Sequence, residues 1–346
     1  MKKVYTELLE GHPYIPFLYP NLGIEERESI LFLQRAFRYM DLKKPFVEMV
    51  KDPTQADYIL LPHNYSSLKG QEEYIQRLAQ LAQAYDKKLL IFWHGDSDAP
   101  VEIPNSIIFR TSQYRSTKRA NEIMMPAYAE DLLESTEIIP RHKGALPVVG
   151  FCGWANYKNL KNRIGTLLKN ALWSMRAFLK SDLMLLAYKK GITYRMQALK
   201  VFQKSTSVKS NFIIRNSYSG HKSTISLDPS QARLEYRGNM LMSDFALVVK
   251  GDGNYSYRFY EALSLGRVPL LIDTECVFPL EDVLDYSSFT IRIPFTELSQ
   301  ADRILKERFL RMSDQEFVAM QQKARDVFAQ YLRIDMFLRY AVEQLL

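Results

Sequence analysis

The sequence predicts an α/β protein with two domains, each built around a parallel sheet. Apolar strand patterns alternate with helical patterns long enough to cross over between neighbouring parallel strands. The chain has 346 residues, enough for two domains of ordinary size. A proline- and glycine-containing segment, "IIPRHKGALPVVG", interrupts the pattern near the middle of the chain and predicts the domain boundary there.

The first domain is predicted to span residues 1–143. Apolar residues at helical spacing predict a helix from Glu25 to Met40, and "ADYILLPH" predicts a buried strand that ends at Pro62. The segment "EEYIQRLAQLAQAY" predicts an amphipathic helix, and "KKLLIFW" a strand that runs into the polar loop "HGDSDAP". Two further short strands are predicted in "SIIFRTS" and "EIMMPAY".

The second domain is predicted to span residues 144–327. It starts with a strand from Val148 to Cys152, followed by a long basic helical region over about 160–202. Four further strands are predicted in "NFIIRN", "FALVVK", "VPLLID" and "FTIRIP". Residues 296–346 read as helical, and we expect the last part, 328–346, to pack back on the first domain.

The composition is that of a soluble globular protein, with 47% apolar and 25% charged residues. The two cysteines are too few for a disulfide framework and lack metal-ligand spacing, which favours a reducing compartment. The first twenty residues contain no unbroken apolar run, so no signal peptide is predicted, and no segment is apolar enough to span a membrane. We therefore expect a cytoplasmic protein.

Positive charge is concentrated in one part of the chain. The net charge is +7, and residues 151–227 contain 14 Lys and Arg, from Lys158 to Lys222, with Asp182 as the single acidic residue. Such asymmetry suggests a polyanionic neighbour, either a phosphate-bearing substrate, an anionic membrane or a nucleic acid, unless it is only a solvated basic face. The aromatic residues of the region fit a helix face better than a stacking surface, and no nucleic-acid-binding motif accompanies them. We therefore expect no nucleic-acid partner.

The stretch "KGDGNYSYRFYE", residues 250–261, lies where a predicted strand turns into a helix. In open parallel sheets such turns gather ligands, and a helix N-terminus there favours phosphate. Gly251 and Gly253 would let the backbone approach an anion and adopt positive φ. Ser256 can donate its hydroxyl to a phosphate oxygen, and Lys250 and Arg258 can supply cationic donors to the same group. The carboxylate of Glu261 can accept both hydroxyls of a ribose.

Each of these residues also has a plain structural interpretation. Asp-Gly pairs are ordinary turn formers, and Ser256 can act as a helix cap alone. Arg258 and Glu261, three residues apart, can form an ion pair on one helix face. The spacing alone leaves both interpretations open.

A longer stretch, residues 236–294, resembles the C-terminal part of exostosin-family (family 47) glycosyltransferases. The shared pattern combines a tyrosine well before "S-x-F", a basic residue with Gly, "S-x-R-x-x-E-A", "G-x-x-P-x-x-I" and "P-x-x-x-V-L" with a following Phe. These positions are Tyr236, Ser243, Phe245, Lys250, Gly251, Ser256, Arg258, Glu261, Ala262, Gly266, Pro269, Ile272, Pro279, Val283, Leu284 and Phe289. A second match, "DPTQADYILLPH", lies upstream through Asp52, Pro53, Ala56, Asp57 and Pro62.

The resemblance implies a GT-B fold, in which two Rossmann-like domains face each other across a cleft. It implies an inverting hexosyl- or pentosyltransferase without an obligatory metal, and favours a UDP-sugar as donor. Acceptors of that class are glycans or lipid-linked glycans, in polysaccharide or glycoconjugate synthesis, and the basic region suggests peripheral contact with an anionic membrane. The implied donor-binding residues are Lys250, Gly251, Gly253, Asn254, Ser256, Tyr257, Arg258 and Glu261.

The catalytic base is sought in the first domain, because inverting transfer needs a group that takes the acceptor's proton. Asp96 and Asp98 follow a predicted strand and are the first candidates, and His63 and His94 are the next. "DSD" at 96–98 also fits a metal-dependent GT-A enzyme, in which two such carboxylates hold Mn²⁺ or Mg²⁺. A sugar-binding relative without activity is a third alternative.

Overall fold

The computed structural model of the chain describes residues 1–25, 31–133, 137–217 and 228–346. Lys222 of the basic region and residues 26–30 of the helix predicted from Glu25 to Met40 lie outside the described residues.

The first sheet contains six strands in the order β2-β1-β3-β4-β5-β6, and each neighbouring pair is parallel. Leu60, Leu90, Phe92 and Phe109 are fully or almost fully buried on these strands, so continuous apolar runs are the expected sequence signature. Sequence patterns missed β1, which has one buried residue, and β2, which has none, because neither forms a buried apolar run. The strands are β1 Lys3–Tyr5, β2 Glu48–Val50, β3 Tyr58–Leu60, β4 Lys88–Trp93, β5 Ser106–Arg110 and β6 Glu122–Met124.

Helices cover this first sheet. The most regular of them, over residues 72–84, buries Tyr74, Leu78 and Ala82 at the i, i+4 spacing that places side chains on one face. Glu72 and Glu73 lie in its first turn, where negative charge is favourable. The helices are α1 Tyr19–Leu22, α2 Leu31–Phe37 and α3 Glu72–Ala84.

The second sheet contains five parallel strands in the order β11-β10-β9-β7-β8. Phe245, Leu270 and Ile293 are fully buried in its core, which is separate from that of the first sheet. The two parallel sheets with covering helices confirm the predicted α/β class. The strands are β7 Val148–Trp154, β8 Lys209–Arg215, β9 Phe245–Val249, β10 Val268–Asp273 and β11 Ile291–Pro294.

The helical region predicted over 160–202 is divided in two. Ser181 has a φ of +49°, and the Asp182 carboxylate accepts a hydrogen bond from the Met184 N–H, so the first helix ends there. A 3₁₀ segment, Leu183–Tyr188, joins it to the next helix. The second-domain helices are α4 Leu160–Lys180, α5 Gly191–Lys204, α6 Pro229–Leu241, α7 Tyr257–Ser264, α8 Ala301–Arg311, α9 Asp314–Val327 and α10 Ile334–Tyr340.

The end of the chain contacts the first domain. Phe337, Leu338 and Val342 belong to the same buried cluster as Val4 and Phe92. The division into 1–143, 144–327 and 328–346 stays a prediction, and these contacts favour it.

No helix in the four described ranges is long and apolar enough to cross a membrane.

Candidate functional site

A cavity of about 740 Å³ lies between the two sheets. Its walls come from segments that follow strands of both domains, where ligands bind in open parallel sheets. The lining includes Asn64, His94, Asp96, Thr111 and Glu130 from the first domain, and Trp154, Arg233, Tyr236, Gly251, Tyr255, Ser256, Tyr257, Arg258 and Glu261 from the second.

The N-terminus of α7 forms part of the cavity wall. Ser256 is the N-cap residue, but its hydroxyl makes no capping hydrogen bond, so the plain interpretation of this serine as a cap is not supported. Ser256, Tyr257 and Arg258 all line the cavity. The positive end of the helix and the hydroxyl of Ser256 are therefore available to an anion.

The guanidinium of Arg258 is fixed by contacts with Cys152 and Phe151. Its Nη2 donates to the carbonyl of Cys152 at 2.6 Å, and its guanidinium lies over the ring of Phe151 at 4.1 Å. A Cβ at residue 153 would lie 2.8 Å from Nη2, so Gly153 is needed for this close approach. Nη1 is buried and has no hydrogen-bond partner of suitable geometry in the described parts of the chain. An anion in the cavity would satisfy that nitrogen.

Glu261 lies one turn further along α7. Tyr236 donates its hydroxyl proton to Oε2 of Glu261 at 2.5 Å. Burial raises the pKa of Glu261, while the Tyr236 hydroxyl and the charge of Arg258 oppose that rise. Arg258 and Glu261 therefore each make their shortest hydrogen bond to another residue and not to each other. This weakens the interpretation of the two as a simple surface ion pair.

The two glycines of the loop, Gly251 and Gly253, do not have the backbone conformation that the sequence predicted. Neither Gly251 nor Gly253 has a positive φ, so the predicted left-handed backbone is wrong. A Cβ at residue 253 would lie 2.7 Å from Cα of Asp96 and 2.9 Å from Oγ of Ser112. A Cβ at residue 251 would meet no atom within 4 Å. Gly253 is therefore required by the packing of the two domains, and Gly251 is open to the cavity.

Lys250 and Asn254 lie outside the cavity wall. Lys250 donates from Nζ to the Tyr114 hydroxyl at 2.8 Å and to the Ala187 carbonyl, and burial lowers its pKa to about 7. Nδ2 of Asn254 donates to the carbonyls of Gln113 and Thr274, at 3.1 and 3.0 Å. The structure places both side chains in the junction between the domains, so a direct contact with a cavity ligand is not available to them here.

Asp96 lies on the cavity wall, as its assignment as a base requires. Part of Asp96 is exposed to the cavity. Burial by the surrounding protein and the charge of Asp252 raise the pKa of its carboxyl. The Gly253 N–H and the Tyr255 hydroxyl donate to the carboxylate and oppose that rise. Asp98 is not among the residues that line the cavity, and its charge partly opposes the lowering of the Lys250 pKa by burial.

A buried ion pair holds the loop that carries Asp96. Arg110 donates to the carbonyls of Ser97 and Ala99, at 2.6 and 3.1 Å, and pairs with Glu122 at 2.5 Å. Both charged side chains are almost fully buried, so removal of either one would leave an uncompensated charge in the interior. The loop position is therefore strongly determined.

The two histidine candidates differ. His63 is fully buried, its Nε2 accepts from the Leu9 N–H at 2.9 Å, and its Nδ1 lies 3.0 Å from the Pro13 carbonyl. These contacts indicate a structural role for His63, since both of its ring nitrogens are engaged by the backbone. His94 lines the cavity, with its ring 4.9 Å from that of Tyr128.

Sequence reasoning missed a pair that closes another wall of the cavity. Arg233, on α6, donates from Nε to Oε1 of Glu130 at 2.8 Å, and Glu130 is almost fully buried. Both residues line the cavity and join the two domains. No spacing signal links residues 130 and 233, and α6 itself was not predicted.

Among the described residues, no group of three or more His, Cys, Asp or Glu side chains is arranged to hold a metal ion.

Part of the chain matches a known protein family. Residues 186–308 match the Exostosin GT47 domain, which confirms the resemblance read from the sequence. A probable glycosyltransferase of Arabidopsis thaliana is 34% identical over 83 residues, which cover 23% of this chain and 18% of that protein. An exostosin-1 homolog of Caenorhabditis elegans is 29% identical over 102 residues, covering 29% of this chain and 25% of that protein. The matches therefore span a quarter or less of these curated relatives.

Solved structures resemble the whole chain only distantly. A glycosyltransferase from Rickettsia africae has 9% sequence identity and a TM-score of 0.40, over 99% of this chain and 97% of that one. HepE of Anabaena, solved in complex with UDP-glucose, has 11% identity and a TM-score of 0.38, over 100% of this chain and 99% of that one.

The two loop glycines provide a matched test of the domain junction. Gly253→Ala should destabilise the protein by about 1–3 kcal/mol, because the added methyl group overlaps the backbone of Asp96. Gly251→Ala, two residues away, should change the free energy of unfolding little, because its methyl group meets open space. Urea unfolding of both variants measures this difference. Equal stability of the two would contradict the described packing.

Proposed function

We propose that the protein is an inverting glycosyltransferase that moves a sugar from a nucleotide-sugar donor, preferably a UDP-sugar, to a hydroxyl of a glycan or lipid-linked glycan. One observation carries the proposal. The segment that matches the Exostosin GT47 domain builds the cavity wall on which Ser256, Arg258 and Glu261 converge at the start of α7. The preference for uridine rests on the family resemblance alone.

The donor diphosphate is proposed to bind at the N-terminus of α7. There the helix end, the Ser256 hydroxyl and Nη1 of Arg258 supply donors and positive charge. Glu261 has one oxygen engaged by Tyr236, and a carboxylate has about four acceptor positions in total, so it can still accept ribose hydroxyls. Lys250 is proposed to act indirectly, because its contacts position the loop that precedes α7.

In the proposed reaction the acceptor oxygen attacks the anomeric carbon while Asp96 takes the hydroxyl proton. The bond between the anomeric carbon and the donor phosphate oxygen breaks, and the electron pair leaves with the diphosphate. The helix end and Arg258 stabilise the charge that develops there. Attack on the face opposite the leaving group inverts the configuration. The raised pKa of Asp96 makes it a stronger base than an ordinary aspartate.

The alternatives receive less support from the site. A metal-dependent enzyme with Asp96 and Asp98 as ligands needs both carboxylates at the donor, and only Asp96 lines the cavity. A nucleic-acid-binding surface needs exposed aromatic rings. Tyr194 and Phe202 are buried in the core, and Trp173 stacks on Tyr188 at 4.6 Å.

Replacement of the α7 side chains tests donor binding. Arg258→Ala should weaken UDP binding by about tenfold or more, since a charge-assisted hydrogen bond is lost. Glu261→Ala should weaken binding of UDP more than that of inorganic diphosphate, because it removes the proposed ribose contact. Calorimetric titration measures both, with Arg303→Ala on the exposed surface of α8 as the control. Unchanged affinity in both α7 variants would place the donor elsewhere.

Transfer is proposed to need no divalent metal, because the cationic groups already lie on the wall where the diphosphate would bind. Activity should therefore persist in excess EDTA. A complete loss that Mn²⁺ restores would contradict this proposal and favour Asp96 and Asp98 as metal ligands.

Asp96→Asn tests the general base. The amide keeps the shape of the side chain but cannot take a proton, so transfer should fall by about 10²–10⁴-fold while UDP affinity is retained. In the unmodified enzyme kcat/KM should fall as pH decreases through the raised pKa of Asp96, since the carboxylate is the active form. Asp98→Asn is the control and should be milder. A variant Asp96→Asn with near-normal transfer would refute the assignment and direct attention to His94.

A further inference from the structure

The outward face of α4 is apolar, which is the reverse of the usual orientation of a surface helix. Phe178 is 84% exposed, Leu179 71% and Leu168 67%. The remaining large apolar residues of the same face are also exposed, namely Leu160, Ile164, Leu167, Leu172 and Met175. At 100° per residue these eight positions form one continuous stripe along a helix about 30 Å long.

The opposite side of α4 contacts the protein through Trp173, which stacks on a neighbouring ring, and through small and polar residues. Thr166 and Ala177 are the buried residues of the helix. Asn170 donates from Nδ2 to the Thr193 hydroxyl at 2.7 Å and accepts from the Lys190 N–H at 3.1 Å. The helix is therefore held by the side opposite the apolar stripe, and the stripe has no covering element among the described residues.

Basic residues border the stripe. Lys169 and Lys180 lie along one edge and Arg163 lies along the other, and all three are exposed. Arg176 lies over the ring of Trp173 at 4.9 Å beside the stripe. No acidic residue occurs on α4, and Asp182, just after it, is engaged as a cap. A large apolar face bordered by Lys and Arg fits the interface of an anionic membrane.

We infer that α4 is a membrane-docking helix that lies in the interface of an anionic lipid bilayer, with Leu168, Phe178 and Leu179 inserted between the lipids. The basic border contributes attraction to the headgroups, and the apolar stripe contributes burial. Residues 155–159 join α4 to Trp154, which lines the cavity, so a short segment connects the docking helix to the cavity wall. The inference does not depend on the nature of the donor.

Vesicle co-sedimentation of the full chain tests the inference. The protein should bind vesicles of mixed phosphatidylcholine and phosphatidylglycerol more tightly than vesicles of phosphatidylcholine alone. The double substitution Phe178→Ser and Leu179→Ser should lower the partition coefficient by about tenfold or more. Lys169→Gln with Lys180→Gln should lower binding to the anionic vesicles and reduce its dependence on salt.

Leu310→Ser, at a similarly exposed leucine on α8, is the matched control and should bind as the unmodified protein does. Thermal unfolding of every variant establishes that the fold is retained. Absence of binding to anionic vesicles at low salt, or unchanged binding by the Phe178→Ser and Leu179→Ser variant, would overturn the inference. A dimer in size-exclusion chromatography that the same double substitution dissociates would also overturn it, because the stripe would then be covered by a second copy.

Discussion

The buried side chain of Asn254 forms hydrogen bonds that connect the two domains just before the start of α7, and the geometry of the site depends on them. Its amide donates to the carbonyls of Gln113 and Thr274, its Oδ1 accepts from the Thr274 hydroxyl, and its N–H donates to the Ser112 hydroxyl at 2.9 Å. Loss of this side chain would leave several buried groups without partners, which is costly. Because Asn254 comes just before α7, these bonds determine where the helix begins relative to the first domain.

The same junction accounts for the electrostatics of the cavity. Gly253 brings the loop before α7 against Asp96. Burial and the charge of Asp252 raise the pKa of the Asp96 carboxyl, and the Gly253 N–H opposes that rise. Arg258 is held against the Cys152 carbonyl and lies near Glu261, whose pKa is raised by burial. A basic carboxylate and a cationic helix end thus line one cavity. Perturbed ionisable groups that converge in a cleft are typical of catalytic sites.

The sequence predicted the α/β class, most strands of both sheets and the position of α7 at the cavity, because long buried strands and a strand-to-helix turn have strong local signals. It did not predict β1 and β2, which have too few buried residues for an apolar run, or the division between α4 and α5, which depends on the cap at Asp182. It assigned Lys250 and Asn254 to the ligand, because burial at a domain junction cannot be read from spacing. Glu130 and Arg233 were missed for the same reason, since their contact is purely tertiary.

A structure of the protein crystallised with UDP tests the central claim most directly. We expect the diphosphate at the N-terminus of α7, within hydrogen-bonding distance of the Ser256 hydroxyl and the Arg258 guanidinium, with the ribose hydroxyls at Glu261. Lys250 should retain its contact with Tyr114. A nucleotide bound outside the cavity, or one in the cavity with its diphosphate remote from α7, would contradict the account.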